Sequence, residues 1–502
     1  MKTFLTQLKR LFWSRGFLKF TLWAVTLSVL FYVEENWRGA RAWAATKASW
    51  EAKGEVLDFK KLTPPPIPDD QNLGALPLFK LERQLTADNV PFMEAVALHK
   101  ALHPDEAPFD FPSFAQWQKG ELPDLSKIKV SIHDRYEKIP KDMLARSNSL
   151  AQLDALYPFL NELRTESARR PFCRFEGDYD SPPFARSFVL LTGSISISRL
   201  LVLHALLALD SHRADVALED IKTNAKLMAG VRRDPSLIAG LVVVAGAQMG
   251  DLAIYQGLSL HAWNDAQLAE LQTLCDADNF LSDYQYAMRG EVAAMAVNID
   301  YIEGNRNLKK LLVEAGSWAD IPTNAAYFSP KGWWDQNKVQ IANGLLGELS
   351  AIDAKSQRVD VAAVNQMEER VNWSRSRWDA DSPWNVWASL GMAPLNGTAM
   401  KFAQAQVWSD EAQLACALER YRLAQGGYPA ALENLVPVYM KALPHDIING
   451  EPYHYQLRPD GKYLLYSIGW NLVDDGGTVV YEKDSPNRRE ARQGDWSWPV
   501  PK

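Results

Sequence analysis

The sequence predicts a mainly α-helical protein with an N-terminal membrane helix, an irregular antiparallel α-helical body and a small C-terminal α+β domain. Three patterns lead to this fold class. An apolar run lies near the N-terminus, apolar residues follow helical spacing through the middle, and the spacing becomes alternating near the C-terminus. Hydrophobic residues make up 47% of the 502 residues and charged residues 23%, a globular composition, so most of the chain is expected to fold.

The membrane helix is predicted from Phe17–Val33, FLKFTLWAVTLSVLFYV, which only Lys19 interrupts. The uninterrupted part, Phe20–Val33, has 14 residues, which is short for a full span and also fits the core of a signal peptide. Aromatic residues near both ends of the run favour an uncleaved anchor that comprises residues 17–37. These aromatic residues are Trp13, Trp23, Tyr32 and Trp37.

Two alternatives to the anchor stay open, a cleaved signal peptide and a peripheral helix. Ala42-Trp43-Ala44 has the small-x-small form of a cleavage site, whereas the charged Glu34 and Glu35 directly after the apolar run disfavour cleavage.

The charges predict the orientation of the chain in the membrane and argue against a nucleic-acid partner. Five basic residues and no acidic residue lie in the first 19 positions, so residues 1–16 are predicted to be a cytoplasmic tail. The body would then lie outside a bacterial inner membrane, in the periplasm, on a single-pass anchor in the lipid bilayer. The whole chain carries a net charge of -7, so this body is acidic and a nucleic-acid partner is not expected.

The middle of the chain is predicted to contain a stalk and Pro-rich linker over residues 38–74 and a helical domain over residues 75–395. The linker sequence Thr63–Asp70, TPPPIPDD, must be extended because proline excludes helix there. Short connections between successive helices indicate antiparallel packing. The clearest of these predicted helices are Ser194–Asp210, Ala214–Gly230, Ser236–Gly257 and Asp278–Ile302.

The C-terminal domain, residues 396–502, begins with a long predicted helix, Thr398–Gln425, which Gly426-Gly427 ends. Pro429 is predicted to start a short helix with Leu432 and Leu435 on its buried side. Alternation from residue 453 to 468, with a Pro-Asp-Gly turn in the middle, predicts a β-hairpin. An edge strand is predicted over Thr478–Glu482.

The ordered series of a helix, Gly-Tyr-Pro, a short Leu-rich helix, a Tyr-x-Tyr strand and a Ser-x-Gly strand resembles the globular domain of the major pseudopilin of type II secretion. The resemblance covers Ala412–Gly477 and extends to pseudopilin-like ends of membrane-anchored bacterial proteins. It implies a helix packed on a small antiparallel sheet. It does not imply filament assembly, because the position that holds glutamate in pilins is Thr21 here.

The same resemblance implies a calcium site, since major pseudopilins bind Ca²⁺ in the loop after the Ser-x-Gly strand. The matching loop offers Asn471, Asp474 and Asp475, whose oxygen atoms suit a hard cation. The alternative is a solvated Asp-Gly turn.

Catalytic motifs do not stand out in the sequence. It holds no HExxH, GxSxG or Walker-type loop, and Cys173, Cys275 and Cys416 lie too far apart for a metal or disulfide pattern. His204 lies in an apolar helix and is expected to be a hydrogen-bonded core residue. Glu291 is a candidate base or a partner in a structural ion pair.

These observations favour a non-enzymatic, membrane-anchored protein of the cell envelope that binds another protein or itself. One alternative is a glycan-acting hydrolase, with the tryptophan-rich segment Trp373–Trp387 as sugar platform and Glu291 or Asp379 as catalysts. The tryptophans of this segment could instead pack between the helical body and the C-terminal domain. A second alternative is a Ca²⁺-dependent adhesion or sensing module.

Overall fold

The computed structural model describes residues 14–80, 119–123, 125, 149–176, 179, 189–305, 329–376, 384–385, 388, 391–392, 395–483 and 489–499. It confirms a mainly α-helical protein with a small α+β region at the C-terminal end. The α-helices are α1 Arg15–Ala52, α2 Phe59–Leu62, α3 Pro77–Lys80, α4 Ser149–Leu156, α5 Phe159–Arg169, α6 Val189–Asp210, α7 Ala214–Val231, α8 Leu237–Ser259, α9 Asp265–Asp276, α10 Phe280–Asn305, α11 Lys331–Leu349, α12 Val361–Ser376 and α13 Thr398–Gln425.

Helix α1 is one continuous helix of 38 residues that starts at the Ser14 cap, whose hydroxyl accepts from the Phe17 amide at 3.1 Å. From Leu18 through Glu34 the helix is exposed, and near the end of this stretch Phe31 lies beside Trp333 of α11. Its second half packs along α11, so the residues predicted to form a stalk are part of a helix pair. Gly39 allows this approach: a Cβ there would lie 2.2 Å from the Gly332 carbonyl oxygen.

Helices α6, α7 and α8 form the centre of the body as successive antiparallel neighbours. Their apolar residues are largely buried, as the predictions for Ser194–Asp210 and Ser236–Gly257 require. Ser236 caps α8 through its hydroxyl, which accepts from the Ala239 amide. Asn264 and Gln267 form a reciprocal capping box at the start of α9.

Helix α13 matches the predicted Thr398–Gln425 and is buried along most of its length. It packs on α9, α8 and α10, so it joins the C-terminal strands to the core of the body. Gly426 ends it in a left-handed conformation with φ of +82°. The short helix that follows is a 3-10 helix, Leu432–Leu435, and not one that starts at Pro429, because Ala431 is extended.

The strands are β1 Ile352–Asp353, β2 Arg358–Val359, β3 His454–Leu457, β4 Tyr463–Ser467, β5 Val479–Tyr481, β6 Arg489–Gly494 and β7 Trp496–Ser497. The predicted hairpin is β3–β4, antiparallel with His454 opposite Tyr466, and β7 adds to its β4 side. The predicted edge strand is β5. It pairs with β6 in a second small sheet and not with the hairpin. A third pair, β1–β2, lies beside α11.

Candidate functional sites in the N-terminal helix and two pockets

Three helices in the described chain are long and apolar enough to cross a membrane, and only one of them is exposed. The apolar window of α1 is 0% buried, whereas those in α6 and α8 are 78% and 67% buried inside the protein. Core packing therefore accounts for the apolar residues of α6 and α8. The predicted N-terminal apolar helix is confirmed as a candidate membrane span.

The exposed part of α1 ends where the helix meets the body. From Arg15 to Glu34 the helix rises about 30 Å, close to the thickness of a bilayer's hydrocarbon core. At the next residue, the buried carboxylate of Glu35 accepts from the Trp333 indole nitrogen at 2.9 Å and from Arg38 at 2.7 Å. The side-chain oxygen of Asn36 accepts from the Gly332 amide at 3.0 Å.

Aromatic rings gather at this junction. Phe31 lies edge-on to Trp333 with ring centroids 6.1 Å apart, and Trp333 lies edge-on to Trp384, also at 6.1 Å. Trp384 is 41% exposed. This tryptophan of the Trp373–Trp387 segment therefore packs beside the end of the candidate span.

The residues predicted to bind Ca²⁺ are mostly engaged with their own loop. The Asn471 side-chain amide donates to Asp475 at 2.8 Å, while Asp474 accepts from the Tyr466 hydroxyl and the Gly476 amide, each at 3.0 Å. The Gly476 amide and the Tyr466 hydroxyl hold the pKa of Asp474 below its ordinary value.

A third carboxylate, Asp495, organises this loop and carried no signal in the sequence. Asp495, on the strand side, accepts from the amides of Asp475 and Gly477, the second at 2.6 Å. Within the described residues, no group of three or more His, Cys, Asp or Glu side chains is arranged to hold a metal ion. The Ca²⁺ hypothesis stays a prediction.

The structure describes one of the two carboxylates proposed for glycan hydrolysis, Glu291. Glu291 accepts from the Leu237 amide at 2.8 Å and so caps the start of α8. Its neighbour Arg289 pairs with Glu55 at 2.5 Å, which ties α10 to the segment after α1. Asp379 lies outside the described residues.

His204 is a hydrogen-bonded core residue, as predicted. Its ring is 1% exposed, with Nδ1 2.6 Å from Asp220 and Nε2 3.1 Å from Asp154. Arg164 donates to the same Asp220 at 2.8 Å. This buried network joins α4, α5, α6 and α7 and accounts for a histidine in an apolar helix.

A first pocket, of about 420 Å³, lies between α8, the end of α13 and the β3–β4 hairpin. Its centre is Glu419, which accepts two bonds from Arg422, at 2.7 and 2.8 Å, and one from the Tyr428 hydroxyl at 2.9 Å. The ring nitrogen Nδ1 of His261 lies 2.7 Å from the same carboxylate. Burial alone would raise the pKa of Glu419, but the bonds from Arg422 and His261 hold it below its ordinary value.

A second pocket, of about 500 Å³, lies between α7, α8 and α9. No sequence pattern indicates this pocket, because its polar residues are single positions on three separate helices. Asp251 lies on its wall, in the middle of the most apolar helix of the body, and is 7% exposed. Burial raises the pKa of Asp251 well above the ordinary value for a carboxyl group, and the nearby charge of Asp278 acts in the same direction.

No family model, curated protein or solved structure matches the chain.

Proposed function

We propose that this chain is a single-pass membrane protein of the bacterial cell envelope that acts by binding another protein or a second copy of itself. The observation that carries the proposal is the apolar first half of α1, which is exposed on every side and continues without a break into a helix packed on the body. Such a surface has no favourable place in water. A bilayer would cover it and leave the body at the membrane surface.

The charges favour one orientation. The basic residues before the span favour a cytoplasmic N-terminus, with the body on the periplasmic side of the inner membrane. The junction supports a body that sits on the bilayer, because Trp37 and Trp384 are exposed at 61% and 41% where headgroups would begin. Tryptophan is enriched at that depth in membrane proteins.

Cysteine labelling of intact cells tests the orientation. The native Cys173, Cys275 and Cys416 are all buried, which keeps background labelling low. With a membrane-impermeant maleimide, Lys441→Cys in the body should label once the outer membrane is opened, and Thr3→Cys should label only after the inner membrane is broken. Recovery of the full-length protein in the soluble fraction, or labelling in the reverse order, contradicts the proposal.

The binding role draws support from the C-terminal unit. Its resemblance to pseudopilins suggests a module that contacts other proteins, and its exposed apolar side chains include Val438 at 73%, Leu472 at 48% and Val473 at 52%. The double variant Leu472→Asp/Val473→Asp should reduce cross-linking of the protein in membranes, with Leu423→Asp, on α13, as the matched control. Equal cross-linking of both variants and the native chain would remove this loop from the contact surface.

A further inference from the structure

The pocket between α7, α8 and α9 has the size and the apolar walls of a small-molecule site. Its volume of about 500 Å³ falls in the usual range for such sites. Side chains of Ala247, Ile254 and Leu274 supply apolar surface around Asp251.

The basic side chains on this pocket already have partners. Lys222 pairs with Glu219 at 2.9 Å and with Glu270 at 3.0 Å. Arg232 pairs with Asp278 at 2.7 Å and with Asp283 at 2.8 Å. These pairs leave the positive charges on the pocket wall largely neutralised, so the pocket is not built for an anion.

The remaining basic and amide groups are engaged with backbone. Lys226 donates to the carbonyl oxygens of Arg170, at 2.8 Å, and Ser167. Asn224 donates from its amide to the Gly246 carbonyl at 3.0 Å and accepts from the Ser198 hydroxyl at 2.6 Å. Neither side chain is turned toward Asp251 as a donor.

Asp251 is the exception among the charged groups of this pocket. Its side chain is more than nine-tenths buried, and within the described part of the chain it forms no hydrogen bond or ion pair. A carboxylate in that state is costly unless something neutralises it. Its small exposed surface faces the pocket, so a bound group can reach it.

We propose that this pocket binds a small organic cation through its ammonium group, with Asp251 as the counter-ion and the apolar wall in contact with the hydrocarbon part. A protonated primary amine carries three N–H donors and forms charge-assisted hydrogen bonds with a carboxylate. A divalent metal ion fits poorly, since hard cations need several oxygen ligands and one carboxylate is available here. The proposal is independent of the envelope-binding role.

The electrostatics give the proposal a pH signature. A bound ammonium stabilises the ionised form of Asp251, so binding of the cation releases a proton and strengthens as pH rises toward the pKa of the amine. Cys416 faces Asp251 from α13, and Asp278 and Cys275 face it from the α9 side. The other ionisable groups that line the pocket are Glu219, Lys222, Lys226 and Arg232.

Thermal-shift titration of the detergent-solubilised full chain tests this site with n-butylammonium chloride as the probe. The melting temperature should rise with n-butylammonium at constant chloride, and it should not rise with 1-butanol or with sodium chloride. Asp251→Asn should weaken the binding by on the order of tenfold to a hundredfold, as expected for loss of a charged hydrogen-bond partner. Asp215→Asn, an exposed acid on α7, should bind like the native chain.

The variant itself supplies a second measurement. Asp251→Asn removes a buried ionisable group, so the ligand-free variant should fold and should gain stability relative to the native chain as pH rises. The proposal is overturned if 1-butanol raises the melting temperature as much as n-butylammonium does. It is also overturned if the effect of n-butylammonium on the melting temperature persists in Asp251→Asn and disappears in Glu219→Gln. Absence of any n-butylammonium effect on the native chain also overturns it.

Discussion

The carboxylate of Glu419 joins the end of α13 to the turn after α8, and its partner Tyr428 lies edge-on to Tyr463 of the β3–β4 hairpin with ring centroids 4.9 Å apart. Arg422, Tyr428 and His261 all lie within hydrogen-bond distance of its two oxygens. In the sequence, Glu419 and Arg422 stand three apart and indicate only a helix-surface pair. The contribution of His261 could not be foreseen, since it lies 158 positions away in the chain.

We expect Glu419→Gln to destabilise the protein by about 1–3 kcal/mol at pH 7, because a buried acceptor is replaced and donors lose their partner. The pKa of Glu419 is lowered in the folded state, so its contribution is present above the ordinary value of 4.5 and is lost as pH falls through the folded-state pKa. The difference between native and variant should therefore shrink on acidification.

Urea unfolding at pH 7 and at pH 4 measures this difference. Glu433→Gln, an exposed acid of the same C-terminal unit, is the control and should change stability little at either pH. If the Glu419 and Glu433 variants unfold alike at pH 7, the network does not hold the hairpin to the body.

At the scale of elements, the contact between α1 and α11 depends on two glycines that face each other. A Cβ at Gly332 would lie 1.9 Å from the Glu35 carbonyl oxygen, and a Cβ at Gly39 would meet Gly332 itself. Gly347 lies on the same helix α11, and a Cβ there would meet nothing within 4 Å. Alanine substitutions at Gly39 and at Gly347 therefore compare a position in the helix contact with one outside it.

We expect Gly39→Ala to push α1 away from α11 and to cost about 1–3 kcal/mol, as overpacking does. Gly347→Ala should be neutral or stabilising by roughly 0.5–1 kcal/mol, because alanine favours the helix. Hydrogen exchange should show faster exchange over residues 38–52 in the first variant only. Unchanged protection in Gly39→Ala would mean that the helices adapt without separating.

The elements that the sequence predicted best are those with a local cause. The ends of α13 and the β3–β4 hairpin follow from glycine, turn residues and spacing, all within a few residues. The packing of residues 38–52 on α11 depends on positions about 300 residues apart, and no periodicity within either segment indicates its partner. Asp251 was missed for a similar reason, since three helices build its pocket.

At the scale of the whole molecule, α1 belongs to two environments, and the change occurs within one turn. From Leu18 to Glu34 its side chains are exposed, with Phe31 beside Trp333, and from Glu35 onward one side of it faces the body. Trp43 and Trp50 pack against the core there, and the Trp50 indole donates to Asn343 at 3.0 Å. The same helix therefore acts as anchor and as part of the fold.

Two truncated chains separate these roles. A chain that begins at Glu34 loses the exposed apolar surface and keeps the contacts of residues 35–52 with α11, so it should be soluble without detergent and melt near the full-length protein. A chain that begins at Gly54 also loses Trp43, whose ring lies 5.2 Å from the buried Lys338 ammonium. It should aggregate or melt several degrees lower, because the α11 face becomes exposed. Equal solubility and equal melting of the two chains would show that residues 34–53 serve only as a spacer, and that the body is complete without them.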